Sequence, residues 1–138
     1  MSRTALASCL LASLLAASVT AAPTEAAPTF HDCKLLHNFG KIVIVAYCPA
    51  DIPPGEIASL VQATKGVWLA KYGFVQYRIF STDKNLPRTF DELMAKSDAW
   101  FKKYELASAL INSRTDHKDF WCKKTPNDKL TDCTALLQ

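Results

Sequence analysis

The sequence predicts an α+β domain: a small mixed β-sheet with two main helices packed on it, stapled by two disulfides. The expected order is a β-hairpin, then a β-α-β unit, then a helix and a C-terminal strand. Three stretches carry this reading. Lys41 to Tyr47 (KIVIVAY) is β-branched and almost continuously apolar, as in a strand buried on both faces. Pro54 to Tyr72 repeats apolar residues at helical spacing. Phe74 to Phe80 (FVQYRIF) alternates, with Val75, Tyr77 and Ile79 facing one way and Gln76 and Arg78 the other.

The chain opens with the three parts of a secretory signal over Met1–Ala21. Arg3 is the charged n-region, Ala5 to Ala17 is the apolar h-region, and Val19-Thr20-Ala21 places small or modest residues before the cut. A spanning helix needs roughly 20 apolar residues. This run is shorter and contains Ser, so the expectation is cleavage after Ala21 and no membrane insertion afterwards. The Leu6-Ala7-Ser8-Cys9 run mimics a lipoprotein site, but a signal ending at Ser8 would have almost no apolar region. Ala22–Thr29 reads as a flexible Pro/Ala/Thr leader, and residues 30–138 as one domain.

The compartment sets the cysteine chemistry. Cys9 leaves with the signal, and Cys33, Cys48, Cys122 and Cys133 remain. An even count in an exported chain implies disulfides. Four cysteines allow three pairings; the local one, Cys33–Cys48 with Cys122–Cys133, is favoured over the cross-pairings. Each short loop so closed stabilises by up to about 3 kcal/mol in the chain-entropy model. Structural zinc sites use Cys-x₂₋₄-Cys spacing, which is absent, so no metal is expected. Localisation is expected to be secreted or periplasmic.

The elements follow in order. Asn38-Phe39-Gly40 supplies a turn between two strands in the Cys33–Cys48 segment, with Gly40 free to take positive φ. Pro49, Pro53 and Pro54 stop the sheet and start the helix. Ile57, Leu60, Val61, Thr64, Val67, Trp68 and Tyr72 form one helical stripe, and Gly73 stands where the helix must end. Short connections make 41–47 and 74–80 a parallel pair, with the helix crossing over between them.

Thr89-Phe90-Asp91-Glu92 is a capping box opening the next helix. Phe90, Leu93, Met94, Phe101 and Tyr104 fall on one expected face, and Ser97-Asp98 offers an interruption and a second cap. Glu105 to Ile111 reads two ways: as a continued helix, which Glu, Leu and Ala favour, or as a strand pairing with Lys118–Lys123 across Ser113–Asp116. Helix is the expectation. Asp119–Cys122 reads as a short strand, and Thr125–Asp128 as a turn.

Function is far less legible. The formal net charge is only +3, which argues for neither nucleic acid nor an anionic membrane as an obligatory partner. Lys102, Lys103, Lys118, Lys123, Lys124 and Lys129 accompany Trp100, Phe101, Phe120 and Trp121, but Asp98, Asp116, Asp119 and Asp128 interleave with them, so no basic stripe forms. His31, His37 and His117 lack metal-ligand spacing. Four disulfide-bound cysteines leave no thiol for a Cys–His pair, and Asp51 stands where a Cys-x-x-Cys motif starting at Cys48 needs its second cysteine. No nucleophile elbow, P-loop or dinucleotide fingerprint is present, so no cofactor is expected.

One constellation has chemistry. Ligands of parallel β-α-β units bind beyond the carboxyl ends of the strands. There stand Asp51, Ser81, Thr82, Asp83 and Lys84, which are also ordinary turn and cap formers. Trp100 is a candidate anchor for a protein partner. The leading expectation is a non-catalytic exported binding protein of inhibitor, effector or immunity type, with an unknown protein partner. The alternatives are a small hydrolase using Asp51, Asp83 and a histidine, and a structural module of an envelope or wall.

Overall fold

The computed structural model describes residues 32–40 and 42–138; the expected signal, Met1–Ala21, and leader, Ala22–Thr29, lie outside them. A six-stranded sheet runs in sequence order: β1 (Lys34–Phe39), β2 (Val43–Tyr47), β3 (Phe74–Phe80), β4 (Glu105–Asn112), β5 (His117–Cys122) and β6 (Thr131–Asp132). All neighbours are antiparallel except β2 and β3, which are parallel. The helix α1 (Pro54–Tyr72) connects them, as its periodicity predicts. Two short helices, α2 (Phe90–Met94) and α3 (Asp98–Tyr104), stand between β3 and β4. This is a small mixed-sheet α+β fold.

The β2 strand explains the layering. Val43, Ile44, Val45 and Ala46 are all buried, and alternate side chains of a strand point to opposite faces. Both faces of β2 therefore need a cover. On one side α1 lays Ile57, Ala58, Leu60, Val61 and Thr64 over Ile44, Ala46, Val75, Tyr77, Ile79 and Phe120. On the other side Val43, Val45, Phe39 and Phe80 pack with Leu86 and Leu93, and with the partly buried Trp100, Phe101 and Tyr104. Inside the first layer, Thr64 Oγ1 donates to the Leu60 carbonyl at 2.8 Å and shares a 2.8 Å bond with the Tyr77 hydroxyl, so that buried phenol is satisfied.

The cysteines pair locally, Cys33 with Cys48 and Cys122 with Cys133. The first ties β1 to the end of β2, and the second ties β5 to the residue after β6. All four half-cystines join the α1-side core. The chain then ends in a 3₁₀ turn, Thr134–Leu136, with Leu137 buried.

Three expectations are corrected. Residues 105–112 form a strand, not a helix: β3 and β5 satisfy both edges of β4, and the period-two set Ala107, Ala109 and Ile111 is buried beneath α1. Tertiary pairing overrides the helical propensity of Glu, Leu and Ala. Val67 sits on the flank of the α1 stripe and faces solvent at 72% exposure. Phe90 and Met94 do not join the apolar face, because a five-residue helix reaches the core with Leu93 alone.

The end of α1 depends on one residue. Gly73 adopts φ 70°, its N–H donates to the Leu69 carbonyl, and its own carbonyl accepts from the Ser113 N–H and hydroxyl. A side chain would be strained there, and its Cβ would stand 2.6 Å from Arg114 Nε, a flexible group able to move. Gly73→Ala is therefore expected to destabilise the domain by about 1–2 kcal/mol, chiefly through the left-handed backbone, as a lower midpoint in chemical denaturation.

Candidate functional site

The second layer produces the surface relief. Cys48 N–H donates to the Phe80 carbonyl at 2.9 Å, so β2 and β3 end together. The chain leaving β3 is tied back to α3, because both Ser81 N–H and Ser81 Oγ contact the Tyr104 carbonyl, at 2.8 and 3.3 Å. Thr82 Oγ1 accepts from the Lys84 N–H at 3.1 Å. These two hydroxyls shape the loop. Asn85 then takes φ 55° and Leu86 and Pro87 are buried, so the loop is pinned on both sides of its turn.

Thr89 opens α2 by accepting from Glu92 N–H at 3.2 Å, while Glu92 Oε2 accepts from Arg88 N–H at 2.7 Å. This is a reciprocal cap, displaced by one residue from the ideal box. Ser97 accepts from Trp100 N–H at 3.2 Å and opens α3. Lys96 Nζ donates to the Asn85 carbonyl at 2.8 Å and lies 4.9 Å from the Trp100 ring centroid. Between the loop, α2 and β1 lies a cleft of about 560 Å³, lined by His37, Asp83, Asn85, Leu86, Arg88, Glu92, Ala95 and Lys96.

Of the five residues expected beyond the strand ends, only Asp83 lines this cleft. Ser81 and Thr82 are engaged in the loop, Lys84 is exposed, and Asp51 is exposed in the turn before α1, where Ile52 N–H donates to the Pro49 carbonyl. His37 joins Asp83 because β1 lies beside β2 at the sheet edge, a placement no spacing in the sequence indicates. Trp100 is half-buried among Phe80, Phe101 and Tyr104, with ring centroids 4.9, 5.4 and 5.5 Å away. Phe90 and Met94 stand 55% and 67% exposed, one turn apart on α2. Among the described residues, no group of three His, Cys, Asp or Glu is placed to hold a metal, and no helix is long and apolar enough to cross a membrane.

A second group escaped sequence reasoning altogether. The β3–β4 register slips between Ile79 and Phe80: Ile79 pairs with Ala107 but Phe80 with Glu105, leaving Leu106 as an extra residue. Such a bulge re-aims the side chains on one side of it. Leu106 enters the α1-side core, and Glu105 turns to the opposite face, where Arg78 Nε donates to its Oε1 at 2.8 Å. Lys123, also buried, faces Glu105 and donates from Nζ to the Lys102 carbonyl at the end of α3, at 2.6 Å. The Arg78 guanidinium lies 5.1 Å from the Phe101 ring centroid. Burial pushes the Glu105 carboxyl up, against the opposing pull of Arg78 and Lys123. Burial likewise pulls the Lys123 ammonium down, with Glu105 acting the other way.

No protein-family model, curated protein or solved structure matches this chain.

The raised Glu105 has a measurable consequence. Between its ordinary range and its raised folded value, the folded state holds the proton more tightly than the unfolded state. Its contribution is thus fully present at acid pH and is lost as pH rises through the folded pKa. Glu105→Gln removes this dependence. Denaturation midpoints measured across weakly acid to neutral pH are expected to show the Gln variant gaining relative to the wild type as pH rises. A constant difference would contradict the burial-driven shift.

Proposed function

We propose that this chain is an exported, disulfide-bonded protein-binding domain, of inhibitor, effector or immunity type, that engages its partner with α2 and the cleft beside it. Export rests on the signal over Met1–Ala21, and two disulfides suit an oxidising compartment. The observation that carries the reading is the exposed apolar pair Phe90 and Met94, one turn apart on α2. A short helix anchored by Leu93 alone leaves both outward, with the exposed charges Asp91 and Glu92 between them along the helix. An apolar centre inside a polar rim is how energetic anchors of protein interfaces are arranged. Methionine adds an adaptable surface to such a patch. The cleft, which Glu92 of α2 lines, has the volume to take a polar side chain from the partner.

A second reading, a small hydrolase, draws on His37 and Asp83 lining one cleft. Imidazole and carboxylate are the usual pair for general acid–base work. Asp51 lies outside that cleft, so this reading now rests on Asp83 and His37 alone.

Affinity capture from secreted and envelope fractions, with the oxidised mature protein as bait, separates the two. A saturable partner held by the wild type is expected to bind the Phe90→Asp/Met94→Asp variant roughly thirtyfold or more weakly, as loss of a strong anchor implies. The melting temperature should stay within the range of neutral surface substitutions. Undiminished binding by the double variant would rule out α2 as the docking element. Turnover lost in Asp83→Ala and in His37→Ala, found by substrate screening, would favour the hydrolase.

A further inference from the structure

The α3-side layer holds a second concavity, separate from the α2 ridge. It is a pocket of about 380 Å³ lined by Phe101, Lys102, Glu105, Lys123, Asp128, Lys129 and Leu130. Small-molecule sites span about 300–1,000 Å³, are mostly apolar, and carry a few convergent polar groups. Here Phe101 and Leu130 supply the apolar walls, and the lysine stems extend them.

The polar group at its base is unusual. Glu105 is only 6% exposed. Its Oε1 accepts from Arg78 Nε, while its Oε2 accepts no hydrogen bond among the described residues. No buried side-chain oxygen or nitrogen among them is left both sealed from solvent and without a partner. Oε2 therefore keeps some access to the outside, and Glu105 lines this pocket. A carboxylate oxygen held in place by Arg78, with its second acceptor open to an apolar cavity, is a ready partner for a ligand N–H or O–H.

The rim sets the charge. Lys102 and Lys129 are exposed at the mouth, and Lys123 is fixed at its side by the Lys102 carbonyl. Asp128 is the opposing charge, and its Oδ2 already accepts from Thr125 N–H at 3.1 Å within its turn. The mouth thus favours an anion, the walls an apolar ring system and the base a donor.

We propose that this pocket is a binding site for a small amphipathic anion: a ring system with one N–H or O–H donor for Glu105 Oε2 and an acidic group for Lys102 and Lys129. The site goes beyond the α2 reading and does not depend on it.

The probe 1-anilinonaphthalene-8-sulfonate has all three features: fused rings, an anilino N–H and a sulfonate. The experiment is a fluorescence titration of the oxidised mature protein, with amide NMR shifts recorded alongside. One saturable site is expected, with the largest shifts at Phe101, Glu105 and Leu130. Leu130→Asp, at the half-buried wall, is expected to weaken binding at least about tenfold, since it charges an apolar contact. Glu105→Gln presents an amide in place of the open acceptor, and a comparable tenfold loss follows if a charged hydrogen bond is removed. Val67→Ser, on the exposed flank of α1, should bind as the wild type does. Should Glu105→Gln fail to fold, Leu130→Asp alone decides. Unsaturable binding, shifts centred away from the pocket, or wild-type affinity in Leu130→Asp would overturn the proposal.

Discussion

The structure is organised by the need to cover β2 on both faces. A run of Val43, Ile44, Val45 and Ala46 cannot leave either side in water, since each larger side chain contributes about 1.5–3 kcal/mol when buried. Its edges are satisfied by β1 on one side and β3 on the other. Its faces need two covers made from different parts of the chain. The long α1 covers the Ile44 face, and the 81–104 segment covers the Val43 face. The two covers are unequal, and the inequality generates the surface features. A nineteen-residue helix buries a full stripe. The other side is closed by a pinned loop and two short helices, which leave a cleft, an exposed ridge and a pocket.

These features share a structural cause and differ in chemistry. The cleft is walled by charges of both signs, with His37 brought in from the sheet edge. The ridge is apolar because α2 has one inward position and Leu93 occupies it. The pocket is apolar with an acid at its base, because a bulge at Leu106 turns Glu105 out of the α1-side core. That carboxyl is then flanked by Arg78 and Lys123, cations that the second layer also uses: Arg78 beneath Phe101, Lys123 against the end of α3. The ionic group is thus part of how the short helices are seated. Removing one partner of such a buried group costs more than the pair contributes net, because the other is left uncompensated.

Much of this was legible in the residues, and the reasons are local. The α1 limits follow from Pro54 at the start and Gly73 at the end, and the structure places both as their backbone preferences require. The parallel β2–β3 pair follows from two short strands separated by one helix. The disulfides follow the shortest loops. What stayed hidden is non-local. Strand β4 exists because β3 and β5 lie on either side of it, although Ala107, Ala109 and Ile111 carry a local period-two signal. Glu105 owes its position to a register slip that no spacing announces. Phe90 and Met94 match a helical stripe in sequence, but α2 ends before they can be buried. Of the residues placed beyond the strand ends, Asp83 lines the cleft, while the neighbouring Ser81 and Thr82 hydroxyls build the loop.

Native-state hydrogen exchange tests the unequal-cover account most directly, because it reports the opening free energy of each element separately. Amides of β2 and β3 are expected to exchange only through global unfolding, while those of α2 exchange through a local opening of lower free energy that leaves α1 and the sheet protected. If β2 amides exchanged through a local opening, or α2 amides required global unfolding, β2 would not be the element on which the two layers depend.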